Sequence, residues 1–246
     1  MRRTEAIALG LLHGPVELLP VSSSGHVTAA PWLLGWEVSR DDGARRKELD
    51  VALHAGTALA LLLTVSRETL RRPRFALLAA GVLPPALAGL LLQDPIERRL
   101  GTPGTLAAGF LAGGAALALA DLAPDGREAG DADWRDGLWL GLAQCAALWP
   151  GVSRSGATLA VARARGFARA DASRLSWEVG LPVLVGAAVR KRPRREPEAA
   201  VAAFASTLLT ARAIGLERHR PLWPWSAWRA ALAAAVLGVR QNRARD

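Results

Sequence analysis

Three ionisable residues, Glu17, His26 and Arg154, lie in apolar or Ser/Gly-rich stretches of this 246-residue chain. Charge is expensive there, so each is a functional candidate in need of a partner. Arginine presents a planar fork of donors that matches phosphate oxygens two at a time. Hydroxyls surround these residues: Ser22, Ser23 and Ser24 precede His26, while Ser153, Ser155 and Thr158 flank Arg154. Together with N–H groups freed at a glycine-containing turn, they can hold the oxygens of an anion. Histidine can act as nucleophile or general acid on a phosphoryl group, and a carboxylate such as Glu17 can hold Mg²⁺ or Ca²⁺ or serve as base. Phosphoryl transfer needs positioning and charge neutralisation above all. The set therefore fits phosphoryl chemistry on an anionic headgroup at membrane depth. Plainer readings stand beside it: a helix-end carboxylate for Glu17, a capping or interfacial histidine for His26, and a snorkelling Arg154. The last sits poorly with Gly151, Ser153, Ser155 and Gly156 as neighbours. His13 shares a helix face with Glu17 by its i, i+4 spacing. It could ligate a metal, assist catalysis or simply pack, and His54 is a weaker candidate of the same kind.

Two stretches position these residues, and they echo each other. Ile7–His26 reads IALGLLHGPVELLPVSSSGH, and Trp139–Thr158 reads WLGLAQCAALWPGVSRSGAT. Gly10 meets Gly141, His13 meets Gln144, Pro20 meets Pro150, and Ser22, Ser24 and Gly25 meet Ser153, Ser155 and Gly156, with one extra residue in the Pro-Gly step. Each copy runs from an apolar helix through proline into a Ser/Gly break. Two such breaks, one per half of a membrane protein, place a site where the halves meet. A break within an apolar span is tolerated only where protein or water covers it, which predicts re-entrant hairpins.

The chain is 51% hydrophobic and 22% charged, with a net charge of +9. The charges fall in short clusters between long runs of Ala, Leu, Val and Gly, the pattern of a polytopic membrane protein. Nucleic acid is set aside as a partner, because the arginines punctuate apolar spans and do not line one face with interleaved aromatics. Anionic lipid headgroups account for them more simply. A lone cysteine, Cys145, excludes an internal disulfide and a cysteine-based zinc site. The basic, apolar N-terminus superficially resembles a signal peptide, but Glu5, His13 and Glu17 interrupt it and no small-residue cleavage site follows, so it is read as mature protein.

In order, the chain predicts a short or kinked first helix over 5–19, a hydrophilic loop over 40–49, and apolar spans over 50–65 and 75–92. Pro84-Pro85 should kink the latter. The cleanest span is 105–123, whose Gly109, Gly113 and Gly114 suit close helix contact. A linker over 124–136 separates repeat one (about 1–123) from repeat two (about 134–240). Further spans follow at 175–189, 199–216 and 226–239. Arg67–Arg74 and Arg190–Arg195 are basic loops, and Trp223, Trp225 and Trp228 suit an interface. Charge alone does not orient the chain in a bilayer. No HExxH, P-loop, GxSxG or dinucleotide fingerprint occurs.

At these residues the sequence resembles the undecaprenyl-diphosphate phosphatase, or bacitracin-resistance, family. One motif is HGPVELLPVSSSGH over 13–26. The other, PGVSRSGAT over 150–158, is preceded by Gln144-Cys-Ala-Ala-Leu-Trp149. DVALHAGT over 50–57 and the 218–229 region add lesser similarity. The resemblance implies an all-α polytopic membrane fold, an inverted repeat with two re-entrant helical hairpins meeting at a central site. It implies a multi-pass protein of the bacterial plasma membrane that hydrolyses undecaprenyl diphosphate to the monophosphate, recycling the carrier for cell-wall synthesis and conferring bacitracin resistance. It assigns Glu17 as a catalytic or metal-associated carboxylate, His26 and Ser23 as catalytic, and Arg154 with Ser153, Ser155 and Thr158 as diphosphate-binding. Family members use Mg²⁺ or Ca²⁺, and self-association into a homo-oligomer is left open. His13 departs from the family, which usually has Glu or Gln there, and imidazole is a poor ligand for hard ions. Glu178 is an unexpected charge within a span. A flippase binding polyprenyl phosphate without hydrolysis, and an inactive paralogue, are the alternatives.

Overall fold

The computed structural model describes residues 1–40, 43–64, 74–191, 195–213 and 220–243. Among them the chain is helical, with one isolated bridge between Arg127 and Phe167. The α-helices are α1 (Arg3–Leu18), α2 (Ser23–Leu34), α3 (Gly43–Thr64), α4 (Phe75–Leu91), α5 (Gln93–Leu100), α6 (Pro103–Asp121), α7 (Trp134–Ala146), α8 (Arg154–Ala164), α9 (Arg169–Lys191), α10 (Pro197–Ala213) and α11 (Trp223–Arg243). Both Ser/Gly stretches break the chain as expected, between α1 and α2 and between α7 and α8.

Glycine and alanine decide which helices meet. A Cβ on Gly10 would come within 2.6 Å of the Ala199 carbonyl and of Ala202, so α1 lies directly on α10. At the matching place in the second copy, a Cβ on Gly141 would come within 2.8 Å of the Ala80 carbonyl, so α7 lies on α4. Each half therefore packs its first helix against a helix of the other half. Small residues permit this approach, which in lipid must come from backbone proximity and packing. Gly109 likewise admits the Pro150 carbonyl against α6, and α6 packs on α8 and α11.

The outer faces are leucine-rich. On α6, Phe110 and Leu117 are buried while Leu111 and Leu119 are exposed, and Leu59, Leu63, Leu83 and Leu90 are exposed on α3 and α4. A helix apolar on both faces suits lipid on one side and protein on the other. Among the described residues, Pro103–Asp121 passes the length and hydropathy test for a span by itself, and Phe75–Leu91 passes it jointly with Gln93–Leu100.

Several boundaries differ from expectation. α3 begins at Gly43 within the supposed hydrophilic loop, and α9 begins at Arg169, earlier than 175. α9 thus carries Glu178 among charged residues, where it pairs with Arg74 and, at 3.0 Å, with Arg174. Pro15, Pro84 and Pro85 all lie inside helices. Of the basic loops, residues 65–73 and 192–194 lie outside the described residues. The linker over 124–136 is pinned: buried Asp136 bonds Arg127 at 2.8 Å and also pairs with Arg165, while Arg163 reaches Asp125 at 2.5 Å. Donating to the Asp136 carboxylate holds the pKa of the Arg127 guanidinium above its ordinary range.

Candidate active site

The two breaks share a backbone device. Ser22 and Ser153 hold φ of 76° and 72°, a region that residues other than glycine rarely adopt. Each serine hydroxyl then caps the helix that follows, accepting from Gly25 N–H at 3.3 Å and from Gly156 N–H at 3.1 Å. Such backbone costs on the order of 1–3 kcal/mol and persists only where the surrounding structure over-determines it. The first residues of α2 and α8 are consequently Ser23 and Arg154, equivalent in the two copies.

Both equivalent residues reach one carboxylate. Ser23 Oγ donates to Glu17 Oε2, and Arg154 Nη2 donates to Glu17 Oε1 at 3.1 Å. Glu17 is 5% exposed. Ser155 Oγ adds a bond to the Leu19 carbonyl at 3.3 Å, tying the second break to the end of α1. The Nε and Nη1 of Arg154 are buried and without a hydrogen-bond partner. Its guanidinium lies 5.4 Å over the Trp177 ring and occupies space left by Gly180, where a Cβ would overlap Nη1. The site thus holds a fixed cation with donors to spare beside a hydroxyl already bonded to a carboxylate.

The other expected residues divide. His26 has both ring nitrogens engaged: Nδ1 lies 2.8 Å from the Ser22 carbonyl, and Nε2 accepts from the Trp228 indole N–H at 2.8 Å. That fits the neutral ring with its proton on Nδ1. Thr158 is buried and turns its hydroxyl to the Arg154 carbonyl at 2.9 Å and to Ser176. Ser153 and Ser155 hydroxyls lie 3.3 Å apart, and Ser24 is half-buried in the first turn of α2. A groove runs beside Ser155, lined by leucines and by Trp177 and Trp225 and also by Arg169, Ser173 and Ser176.

His13, Glu17 and His54 form a cluster whose candidate ligand atoms all lie within 4.8 Å of one another. His54 Nε2 is 3.9 Å from Glu17 Oε2. Mg²⁺ and Ca²⁺ take six or more oxygen donors, whereas this cluster offers two imidazoles and one carboxylate. Each oxygen of that carboxylate accepts one bond, from Ser23 or from Arg154, and keeps a lone pair. The protein's donors do not suit a hard ion.

Three contributors were given no role at the site in the sequence reading. Gly180 makes room for Arg154. Arg229, fully buried, donates from Nη2 to the carbonyls of Gly151, at 2.9 Å, and Val152, so α11 holds the second break. Trp228 serves His26 while remaining half-exposed. A buried arginine two turns into an apolar helix was the available signal for Arg229.

The family model for bacitracin resistance protein BacA matches residues 6–235. The chain is 41% identical to the undecaprenyl-diphosphatase of Geobacter sulfurreducens over 207 residues, covering 76% of this chain and 74% of that protein. It is 35% identical to the undecaprenyl-diphosphatase of Elusimicrobium minutum over 232 residues, 87% and 86% of the two chains. With the same-named protein of Trichlorobacter lovleyi it shares 32% identity over 268 aligned positions, 95% and 96% of the two.

Proposed function

The chain belongs to the bacitracin resistance protein BacA family, and from that premise we propose that it hydrolyses a polyprenyl diphosphate, undecaprenyl diphosphate in the first instance, to the monophosphate and inorganic phosphate. The observation that carries this reading is Glu17 bridging Ser23 and Arg154 while two buried donors of Arg154 have no partner. Ser23 Oγ attacks the terminal phosphorus and Glu17 accepts its proton. The bond from phosphorus to the bridging oxygen breaks, and polyprenyl monophosphate leaves. Arg154 neutralises the charge on the phosphoryl oxygens, the largest demand of such a step. Glu17 returns the proton to Ser23 Oγ as water displaces the phosphoryl group and phosphate departs.

His26 serves in this scheme as a positioning residue, since its bonds to Ser22 and Trp228 hold the turn that presents Ser23. Ser24, Ser155 and the N–H groups of both turns take the remaining oxygens, with Ser22 and Ser153 shaping those turns. Thr158 braces α8. The leucines and tryptophans of the groove beside Ser155 offer apolar contact to a polyprenyl chain, and Arg169, Ser173 and Ser176 lie in the same lining. Mg²⁺ or Ca²⁺ is best read as arriving on the diphosphate, whose oxygens are the donors those ions prefer. The exposed leucines and the paired breaks support a multi-pass protein of the bacterial plasma membrane, with the breaks as re-entrant hairpins of an inverted repeat. The reaction would recycle the lipid carrier for cell-wall synthesis and underlie bacitracin resistance.

Phosphate release from polyprenyl diphosphate by the detergent-purified protein tests the proposal. Equal amounts of phosphate and lipid monophosphate are expected. A folded sample that binds the lipid and releases nothing would replace hydrolysis by carriage of the lipid.

A further inference from the structure

His13 is fully buried, and among the described residues its Nε2 has no hydrogen-bond partner. Its other nitrogen is fixed by a chain of hydroxyls with one consistent direction. Thr207 Oγ1 donates its single proton to the Ala203 carbonyl at 2.6 Å. At 3.1 Å from Thr207, Thr57 Oγ1 must therefore be the donor of that pair. Having given its proton away, Thr57 accepts from His13 Nδ1 at 2.9 Å. His13 is thus the Nδ1–H tautomer, and the lone pair of its buried Nε2 is left without a hydrogen-bond partner among the described residues.

His54 is oriented in the same sense, with Nδ1 2.8 Å from the Asp50 carbonyl, which can only accept. The two rings meet edge-on at a centroid distance of 4.8 Å and an angle of 74°. Fixing a ring through its far N–H is how proteins prepare histidine to bind a metal. A buried imidazole nitrogen without a partner costs on the order of 1–3 kcal/mol, and a bound cation would satisfy it.

We propose that His13, Glu17 and His54 form a binding site for one divalent transition ion of the zinc, cobalt(II) or nickel class. Two imidazoles and one carboxylate are the donor set of three-ligand zinc sites with an open fourth position. Nitrogen donors favour such ions over Mg²⁺ and Ca²⁺. The selection is a property of this chain's histidine at position 13, and it stands whether or not the chain hydrolyses a diphosphate.

The test is a titration of the full-length, tag-free protein in detergent with Co²⁺ after treatment with chelator. One equivalent should raise visible d–d absorption, which Zn²⁺ abolishes and a large excess of Mg²⁺ or Ca²⁺ leaves in place. His54→Gln should remove the absorption. Thr57→Val, which removes the acceptor of His13 Nδ1 and the bond to Thr207 but none of the proposed ligands, should weaken Co²⁺ binding about 10- to 100-fold. Melting curves establish that each variant is folded, and a variant that fails to fold leaves the wild-type titration and the other variant to decide. No absorption from folded wild-type protein overturns the proposal, as does absorption unchanged in both His13→Gln and His54→Gln.

Discussion

The two breaks use one backbone and different side chains. Ser22 and Ser153 take the same left-handed conformation and make the same cap. Just beyond them the copies diverge, with Ser23 in one and Arg154 in the other. Behind them the copies diverge again. His13 Nδ1 is hydrogen-bonded to Thr57 Oγ1 at 2.9 Å, whereas Gln144 donates to the carbonyls of Gly81 at 2.9 Å and Val179 at 3.4 Å. Glu17 has Leu148 as its counterpart. In the proposed scheme the first stretch supplies the acid–base group, Glu17, and the second supplies the cation, Arg154. The duplicated turn delivers two residues from opposite halves to the two oxygens of one carboxylate. A hydroxyl to be deprotonated and a charge to be neutralised need different side chains at equivalent places.

Breaking that division should have graded effects. Ser23→Ala removes the proposed nucleophile, and a loss of about 1,000-fold or more in kcat is expected. Arg154→Ala should lose about 100- to 1,000-fold, the range for removing a donor to a developing oxyanion. Phosphate release with melting curves checks both. Gly180→Ala sharpens the comparison from a distance, because its Cβ would displace the Arg154 guanidinium. A fall of about 100-fold in kcat/KM is expected, the scale of a small misplacement.

Arg229→Met frees the carbonyls of Gly151 and Val152. Activity should fall about tenfold as the second turn loosens. Thermal stability should change by no more than about 1 kcal/mol, since lost carbonyl bonds and relief of a buried cation oppose each other. The smallest effects belong to the caps. Ser22→Ala and Ser153→Ala should each lower stability by about 1 kcal/mol, and similar values in the two halves would support their equivalence.

Much of this arrangement was legible in the sequence. The matched Pro, Ser and Gly positions announced two breaks, and apolar runs announced the helices. α6 emerged almost where Gly109, Gly113 and Gly114 placed it. Less legible was anything that depends on which helices meet. Arg229 and Gly180 act on the second break from other helices, so no local pattern links them to it. Trp228 read as an interfacial aromatic from its place between two apolar spans, yet its indole N–H bonds His26. The start of α3 was missed because charged residues suggest a loop, although Leu49, buried against α1 and α10, gives that turn a packing face. Nor could spacing reveal that Ser23 and Arg154 converge on Glu17. That follows from the helices of the two halves interlocking.

The most direct measurement is a double-mutant cycle on phosphate release, comparing Ser23→Ala, Arg154→Ala and the pair together. Residues that act on one phosphoryl group through one carboxylate are strongly non-additive. The double variant is therefore expected to be no slower than about the worse single variant. Multiplying losses, or near-normal release in either single variant, would contradict a shared site between the two halves.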